Sequence, residues 1–535
     1  MAAKKEERGS LEGGIVPYTI DSDVARADRL FRQLEGKSMR RHLLFLVLVI
    51  ASFLLTAGAA EAAAIFVDSS RTTPGDGSAS APFKTITEAL AVARRIRFGF
   101  PDGTAGSNQM INVHVAAGPY VGSFATPASA GTETLPLLLN IPRLHLQGAL
   151  HLDAAGAIIP GTETIVRAST AQAGKQHMVV VTRTNPTTAL SAFPPSFEMA
   201  GDSVTISGFL FEGKAADGTQ PDTKSAAQSA LIFLDGVADF VVRENVLTHA
   251  GTFGISTRLS SGRIENNSIL ENKGVGLNIT GGSEKFPATL VIADNRVTNN
   301  GTGGLGLQGA AQTGGDLEGL FAAHPFRRIP LPPFFDWTHH PEEVPDKLDA
   351  TVTNNTFSSN SSPFPEGPRG FGIHVNGYLR DNYRLHPLDP ERLTAFVRAR
   401  FEGNTASLNG NYGVVVVAGQ IQTSNSRKHV VSIDVSFEHT TLDGNGSGLA
   451  LFGFSRFATS VLATEAANLN FKFAHDSTIT ISGDVLRFNF DNSATDPADQ
   501  TPTNNTLTVN KRPLPGFCIP RVENCVCQLG PLGCS

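Results

Sequence analysis

The sequence predicts an all-β solenoid of stacked, parallel strands. Three observations point there: a short phrase recurs at one internal spacing, the runs between its marks are β-branched and too short for helices, and the composition supplies many turns. The phrase is an Asn, a second small residue five places on, and a Gly four places later with an aliphatic residue behind it. It reads Asn245, Ala250, Gly254-Ile255; then Asn267, Asn272, Gly276-Leu277; then Asn295, Asn300, Gly304-Leu305. It returns as Asn404, Asn409, Gly413-Val414, and in degenerate form as His439, Gly444, Gly448-Leu449. Asn355 and Asn360 also fit, but Gly372-Ile373 arrives eight residues late, so an insertion is expected there. The openings are 22, 28, 60, 49 and 35 residues apart while the internal spacing holds, which predicts a constant cross-section with loops of variable length.

The runs between the marks, such as Phe240-Val241-Val242-Arg243, Val246-Leu247 and Ile255-Ser256-Thr257, read as three short strands per turn. Stacked parallel at about 4.8 Å, they bring identical side chains into columns. A column of Asn245, Asn267, Asn295, Asn355 and Asn404 would hydrogen-bond along the stack, and Asn tolerates the left-handed backbone of a tight corner. This pattern resembles the right-handed parallel β-helix of the pectate-lyase-like superfamily, whose corner between the second and third strands carries such a ladder. The resemblance spans about Ala64 to Asn510. It implies a groove on the first of the three sheets, with substrate held between flanking loops.

A solenoid grows along one axis, so 535 residues need no second core. Fifty-three Gly, a single Trp and 17% charged residues suit repeated β-turns, and a net charge of −6 leaves no basic face for nucleic acid. Residues 1–38 form a polar leader. Residues 39–62 hold Arg40-Arg41, the 18-residue apolar run Leu43 to Ala60, and the small residues Ala60-Glu61-Ala62 expected at a signal-peptidase site. Either this segment is cleaved, with Met39 a candidate start, or it stays as a membrane anchor with its positive side inside. Both readings export the body, to the periplasm, the cell surface or the medium.

Residues 64–201 read as an amino-terminal cap and the first turns, and 202–510 as the repeats. From Thr85, the apolar residues Ile86, Leu90, Val92 or Ala93, and Ile96 recur at helical spacing, and Thr85 with Glu88 makes a capping box. An amphipathic helix of about three turns is expected here, closing the open end of the solenoid. Strands are expected at Ile111 to Val115, Leu137 to Asn140, Leu144 to Leu146, Thr164 to Arg167, Met178 to Thr182 and Ser203 to Ile206. The tail, 511–535, carries all four cysteines, Cys518, Cys525, Cys527 and Cys534. In an exported chain they read as two disulfides in any of three pairings; a zinc site is the alternative, with no His in the tail to support it.

The resemblance makes the Gly-aliphatic strand the groove sheet. Period two then sends Ile255, Leu277, Leu305, Ile373, Val414 and Leu449 inward. Their neighbours face out: Ser256 and Arg258, Asn278 and Thr280, Gly306 and Gln308, His374 and Asn376, Val415 and Val417, Ala450 and Phe452. No carboxylate is expected among them, although glycoside hydrolysis ordinarily uses two and β-elimination needs a base beside a metal or cation. Of the motifs of the polygalacturonase-like enzymes of this fold, only Asn489-Phe490-Asp491 fits one, the Asn-x-Asp. No resident cofactor or metal is implied, with calcium reserved for the case of a lyase.

Two long loops, 310–347 and 377–395, leave the same end of consecutive strands. They would bring Asp336, Trp337 and His339 together with Tyr378, Arg380, Asp381 and Tyr383 beside His374 and Asn376. Aromatic faces stack on sugars, so Trp337, Tyr378, Tyr383, Asn376, Gln308 and Arg258 are candidate binding residues. His374, His339, Asp336, Arg380 and Asp381 are candidate catalytic groups. A plainer reading has Phe334, Phe335 and Trp337 burying the underside of their own loop. The expected partner is a polysaccharide or cell-surface glycan. Two roles stand: a structural or adhesive binder, and a polysaccharide lyase or hydrolase with catalytic groups on the loops.

Overall fold

The computed structural model describes residues 62–99, 109–124, 131–153, 157–171, 176–182, 202–221, 229–282, 288–313, 347–361, 370–381, 394–423, 430–445 and 447–454, with short strands beyond. Along 310–313, 377–381, 394–395, 417–423, 430–432 and from 447 onward, the backbone alone is described. The polar leader, the apolar run Leu43 to Ala60 and most of the Cys-rich tail lie outside these residues. No described helix is long and apolar enough to cross a membrane.

The described strands form three long sheets of 13, 11 and 11 strands, parallel except at their carboxyl-terminal ends. Each turn visits them in order, as in Phe240–Arg243, Val246–Thr248 and Phe253–Arg258. Each strand pairs with its counterpart one turn on: Val246 with Ser268, Ser268 with Arg296, Arg296 with Thr356, Thr356 with Thr405 and Thr405 with Thr441. The inward residues make continuous columns. Ile255, Leu277, Leu305, Ile373 and Val414 are fully buried, and Phe401 stacks on Phe437 at 4.6 Å. Each such side chain contributes about 1.5–3 kcal/mol through burial.

Two asparagine ladders hold the corners, where the phrase led us to expect one at its opening residue. Asn267 donates its backbone N–H and its side-chain amide to Asn295 Oδ1, both at 3.0 Å, and Asn295 does the same to Asn355 at 2.9 and 3.0 Å. The second ladder begins where Ala250 N–H meets Asn272 Oδ1 at 2.8 Å. It runs through Asn300, Asn360 and Asn409 to Asn445. The left-handed backbone falls one residue before each Asn, at Glu244, Asn266, Asp294 and Asn354 (φ 55 to 57°), rather than on the ladder itself. Ladder side chains can therefore point inward and bond along the stack while a neighbour turns the corner. The degenerate turn shifts by one: His439 (φ 48°) takes the corner, and Thr441 pairs with Thr405. Thr440 thus stands in the first column and Asn445 in the second.

The helix spans Ile86–Phe98 with Thr85 as N-cap, the capping box formed, and Gly99 left-handed at its end (φ 66°). It buries Ile86, Ala89, Leu90 and Ala93 and packs against Ala63–Val67, Glu133–Thr134 and Leu137–Leu139, which stand at the starting edges of the three sheets. Glu133, 1% exposed, accepts the Ile86 and Thr87 N–H groups at 2.7 and 2.8 Å and the Thr87 hydroxyl at 2.7 Å. Burial pushes its carboxyl above the usual range, opposed by these three bonds. Glu133→Ala should destabilise this end by about 2–3 kcal/mol, read as a lower denaturation midpoint, because it strips a charged acceptor from one buried and one part-buried N–H group.

The expected strands are found at Leu137–Leu139, Leu144–Gln147, Thr164–Ala168, Val179–Thr182 and Thr205–Ser207. The loop boundaries differ from expectation. The Gly-aliphatic strands run on through Thr313 and Asp381, and Thr394–Glu402 is already strand. Nine consecutive backbone pairings, from Leu305 with Ile373 to Thr313 with Asp381, account for the extension, because each added residue finds a partner on the neighbouring turn.

Candidate functional site

The Gly-aliphatic sheet presents three outward columns. The first runs Val275, Gly303, Phe371, Tyr412. The second runs Phe233, Ser256, Asn278, Gly306, His374, Val415. The third pairs Asp235 with Arg258, and further along Thr280 with Gln308 and Gln308 with Asn376. Pairing puts Ser256, Asn278, Gly306, His374 and Val415 in one of these columns and Arg258, Thr280, Gln308 and Asn376 in another, while the side chains of Val417, Ala450 and Phe452 lie outside the described residues. Their burial follows a gradient instead of uniform exposure. Ser256 and Arg258 are buried at 6% and 3%, Val415 is fully buried against Phe371, and Asn278, Thr280, Gln308, His374 and Asn376 are half-buried.

The face carries a carboxylate after all. Asp235 ends the strand Ala230–Asp235, one turn before the first phrase, and lies 3.5 Å from Arg258 Nε, the two side chains 7% and 4% exposed. The pair is a buried ion pair, so Arg258 does not stand as an open ligand contact. Breaking one partner of such a pair is expensive because the other charge stays buried.

Beyond it the row is uncharged and polar. Asn278 Nδ2 donates to Ser256 Oγ at 3.2 Å. Gly306 leaves a gap next in the column: a Cβ there would come no nearer than 3.7 Å to Asn278 Oδ1. His374 borders the gap on the far side, its ring edge-on to Phe371 at 5.1 Å. Its Nε2 and the neighbouring Asn376 Oδ1 are both buried with no hydrogen-bond partner among the described residues. Burial pushes the imidazole down to about 4, because the charged form loses its solvation there. The imidazole is therefore neutral near pH 7, with Nε2 left without a hydrogen-bond partner among the described residues. A register irregularity follows at once, between Gly377 and Tyr378, a common device for re-aiming side chains beside sites.

The other candidates divide by position. Tyr378, Arg380 and Asp381 continue the His374 strand, paired with Ala310, Gln312 and Thr313, and their side chains lie outside the described residues. Asp336, Trp337, His339 and Tyr383 lie outside them altogether, as does the expected convergence of the two loops. Cys525 pairs its backbone with Phe488; Cys518, Cys527 and Cys534 and any disulfide or zinc lie outside. No cluster of three metal-ligating side chains occurs among the described residues.

A family model described as "Right handed beta helix region" matches residues 188–313. Three parallel sheets visited in rotation, with one short helix, show the same architecture: the chain is a right-handed parallel β-helix protein. Solved structures similar to it include the Azotobacter vinelandii mannuronan C-5 epimerase AlgE4 A-module (TM-score 0.38, 12% identity, covering 83% of this chain and 95% of that one). Pectate lyase Pel9A is similar over 72% of this chain and 80% of its own (TM-score 0.35, 11% identity). So is PfbA, a surface adhesin of Streptococcus pneumoniae, over 83% and 94% (TM-score 0.34, 11% identity). No curated protein matches the chain by sequence.

Proposed function

We propose that this is an exported β-helix protein that binds a polysaccharide or cell-surface glycan along the Gly-aliphatic sheet, in a structural or adhesive role. The observation that carries the reading is the pair of buried, unpartnered polar atoms on adjacent outward columns, His374 Nε2 and Asn376 Oδ1, beside the gap at Gly306. Buried polar atoms left unsatisfied cost about 1–3 kcal/mol each, a cost that ligand hydroxyls filling the gap would offset. Asn278, Gln308 and Thr280 extend the same uncharged row, which suits a chain of sugar hydroxyls. The export segment, the helix as amino-terminal cap and the paired cysteines belong to the same reading. The net charge of −6 argues against nucleic acid as partner.

A second reading, a polysaccharide lyase or hydrolase, is favoured by one feature: a neutral imidazole with a free nitrogen is also a proton acceptor. One experiment separates the two. The chain from Ala63 onward is incubated with neutral and acidic polysaccharides, with and without calcium, and assayed for retention, unsaturated uronate and new reducing ends. Retention without product is expected. Asn278→Ala and Gln308→Ala should each weaken it about tenfold, the equivalent of one lost hydrogen bond. Retention should change little from pH 8 to pH 5 and fall as pH approaches 4, where His374 takes a proton and loses its acceptor. Product from any glycan would establish the enzyme instead, and absence of retention on every glycan would remove the binding reading.

A further inference from the structure

A cavity of about 400 Å³ opens on a different sheet, at the amino-terminal end of the solenoid, with Phe66, His114 and Gln147 on its wall and Asp68, Pro82 and His151 around it. Strand parity creates the wall. Ile65, Val67, Val113, Val115, Leu144 and Leu146 are buried inward, so Phe66, His114 and Gln147 face out, and the pairing places them in one column. The Phe66 and His114 rings stack at 5.2 Å with 23° between their planes. Asp68 sits at the strand end, its Oδ1 held by the Ser70 N–H and hydroxyl at 2.9 and 2.6 Å.

We infer that this cavity is a second carbohydrate-binding site, taking one or two neutral pyranose rings. Its volume lies within the range of small-ligand pockets. An aromatic wall offers the apolar face that the C–H surface of a sugar ring needs, and a carboxylate, an amide and two imidazoles offer hydrogen bonds for adjacent hydroxyls. Among the described residues no Lys or Arg lines the cavity, and Asp68 would repel a uronate, so the selectivity is for uncharged sugar. The inference shares only the ligand class with the groove reading, because it uses no residue of the Gly-aliphatic sheet.

Saturation-transfer NMR on the intact chain tests it, with methyl glycosides of glucose, galactose, mannose and N-acetylglucosamine beside methyl glucuronide. At least one neutral glycoside should show transfer, the glucuronide at least tenfold less. Read on a Gly306→Leu background, which closes the groove of the other sheet, Phe66→Ala and Gln147→Ala should each reduce the remaining signal more than fivefold. Gln147 is exposed, which keeps its variant a binding test and not a folding test. On that background, no transfer from any neutral glycoside, equal transfer from the glucuronide, or a signal that Phe66→Ala leaves intact would overturn the inference. Loss of groove binding alone would leave it standing.

Discussion

Asn295→Ala should lower the stability of the solenoid by roughly 2–5 kcal/mol, seen as a fall in the urea midpoint of the intact chain. Asn295 Oδ1 accepts both the backbone N–H and the amide of Asn267, and its own amide reaches Ile264 O at 2.8 Å, Ala293 O at 2.9 Å and Asn355 Oδ1 at 3.0 Å. Alanine keeps the backbone donation to Asn355 and strands the rest in a site 2% exposed. The turn is central, so the loss falls on interfaces with both neighbours, and a stack of repeats is as strong as those interfaces. Asp294→Gly, one residue earlier, is the control: it keeps the left-handed corner (φ 57°) and should change stability by no more than about 1 kcal/mol. Equal losses at both positions would mean that the corner backbone, not the ladder, holds the turn.

The fold was legible because its rule is one-dimensional. Asn at a corner and Gly before an aliphatic residue repeat at fixed offsets, so the inward column Ile255, Leu277, Leu305, Ile373, Val414 could be read without knowing any loop. The helix was legible for the same local reason, since Thr85 and Glu88 name their own cap. What depends on the third dimension was not. The turn holding Asp235 lacks the phrase, so its carboxylate was invisible until pairing set it opposite Arg258. Glu133 lies far along the chain from the helix start that it completes. The degenerate turn misled by one place because its Gly arrives a residue early relative to the Asn column, and only pairing shows which end has slipped. On the Gly-aliphatic sheet, parity assigned a column to each residue, but exposure depends on what packs over it, which spacing does not encode.

Gly306 and Gly304, two residues apart on one strand, should respond oppositely to a side chain. A Cβ at Gly304 would lie 2.6 Å from the Gly372 carbonyl oxygen and 3.0 Å from both Asn360 Nδ2 and Phe357 Cδ1, so Gly304→Ala presses on backbone, ladder and core together. It should cost about 1–3 kcal/mol and shift the thermal midpoint down. At Gly306 the nearest atoms stand at 3.7 to 3.9 Å, ordinary contact distance, and the direction is outward. Gly306→Ala should therefore leave stability within about 1 kcal/mol of the parent, and Gly306→Leu, which reaches further into the space between Asn278 and His374, should still fold at a cost of no more than about 3 kcal/mol. Glycan retention should drop more than tenfold, because the filled gap bars sugar hydroxyls from His374 Nε2 and Asn376 Oδ1. The pairing of results matters more than either alone: a folded Gly306→Leu protein that still binds glycan at full strength would move the binding surface off this sheet. A folded protein that no longer binds would tie retention to the one place where the column of side chains is interrupted.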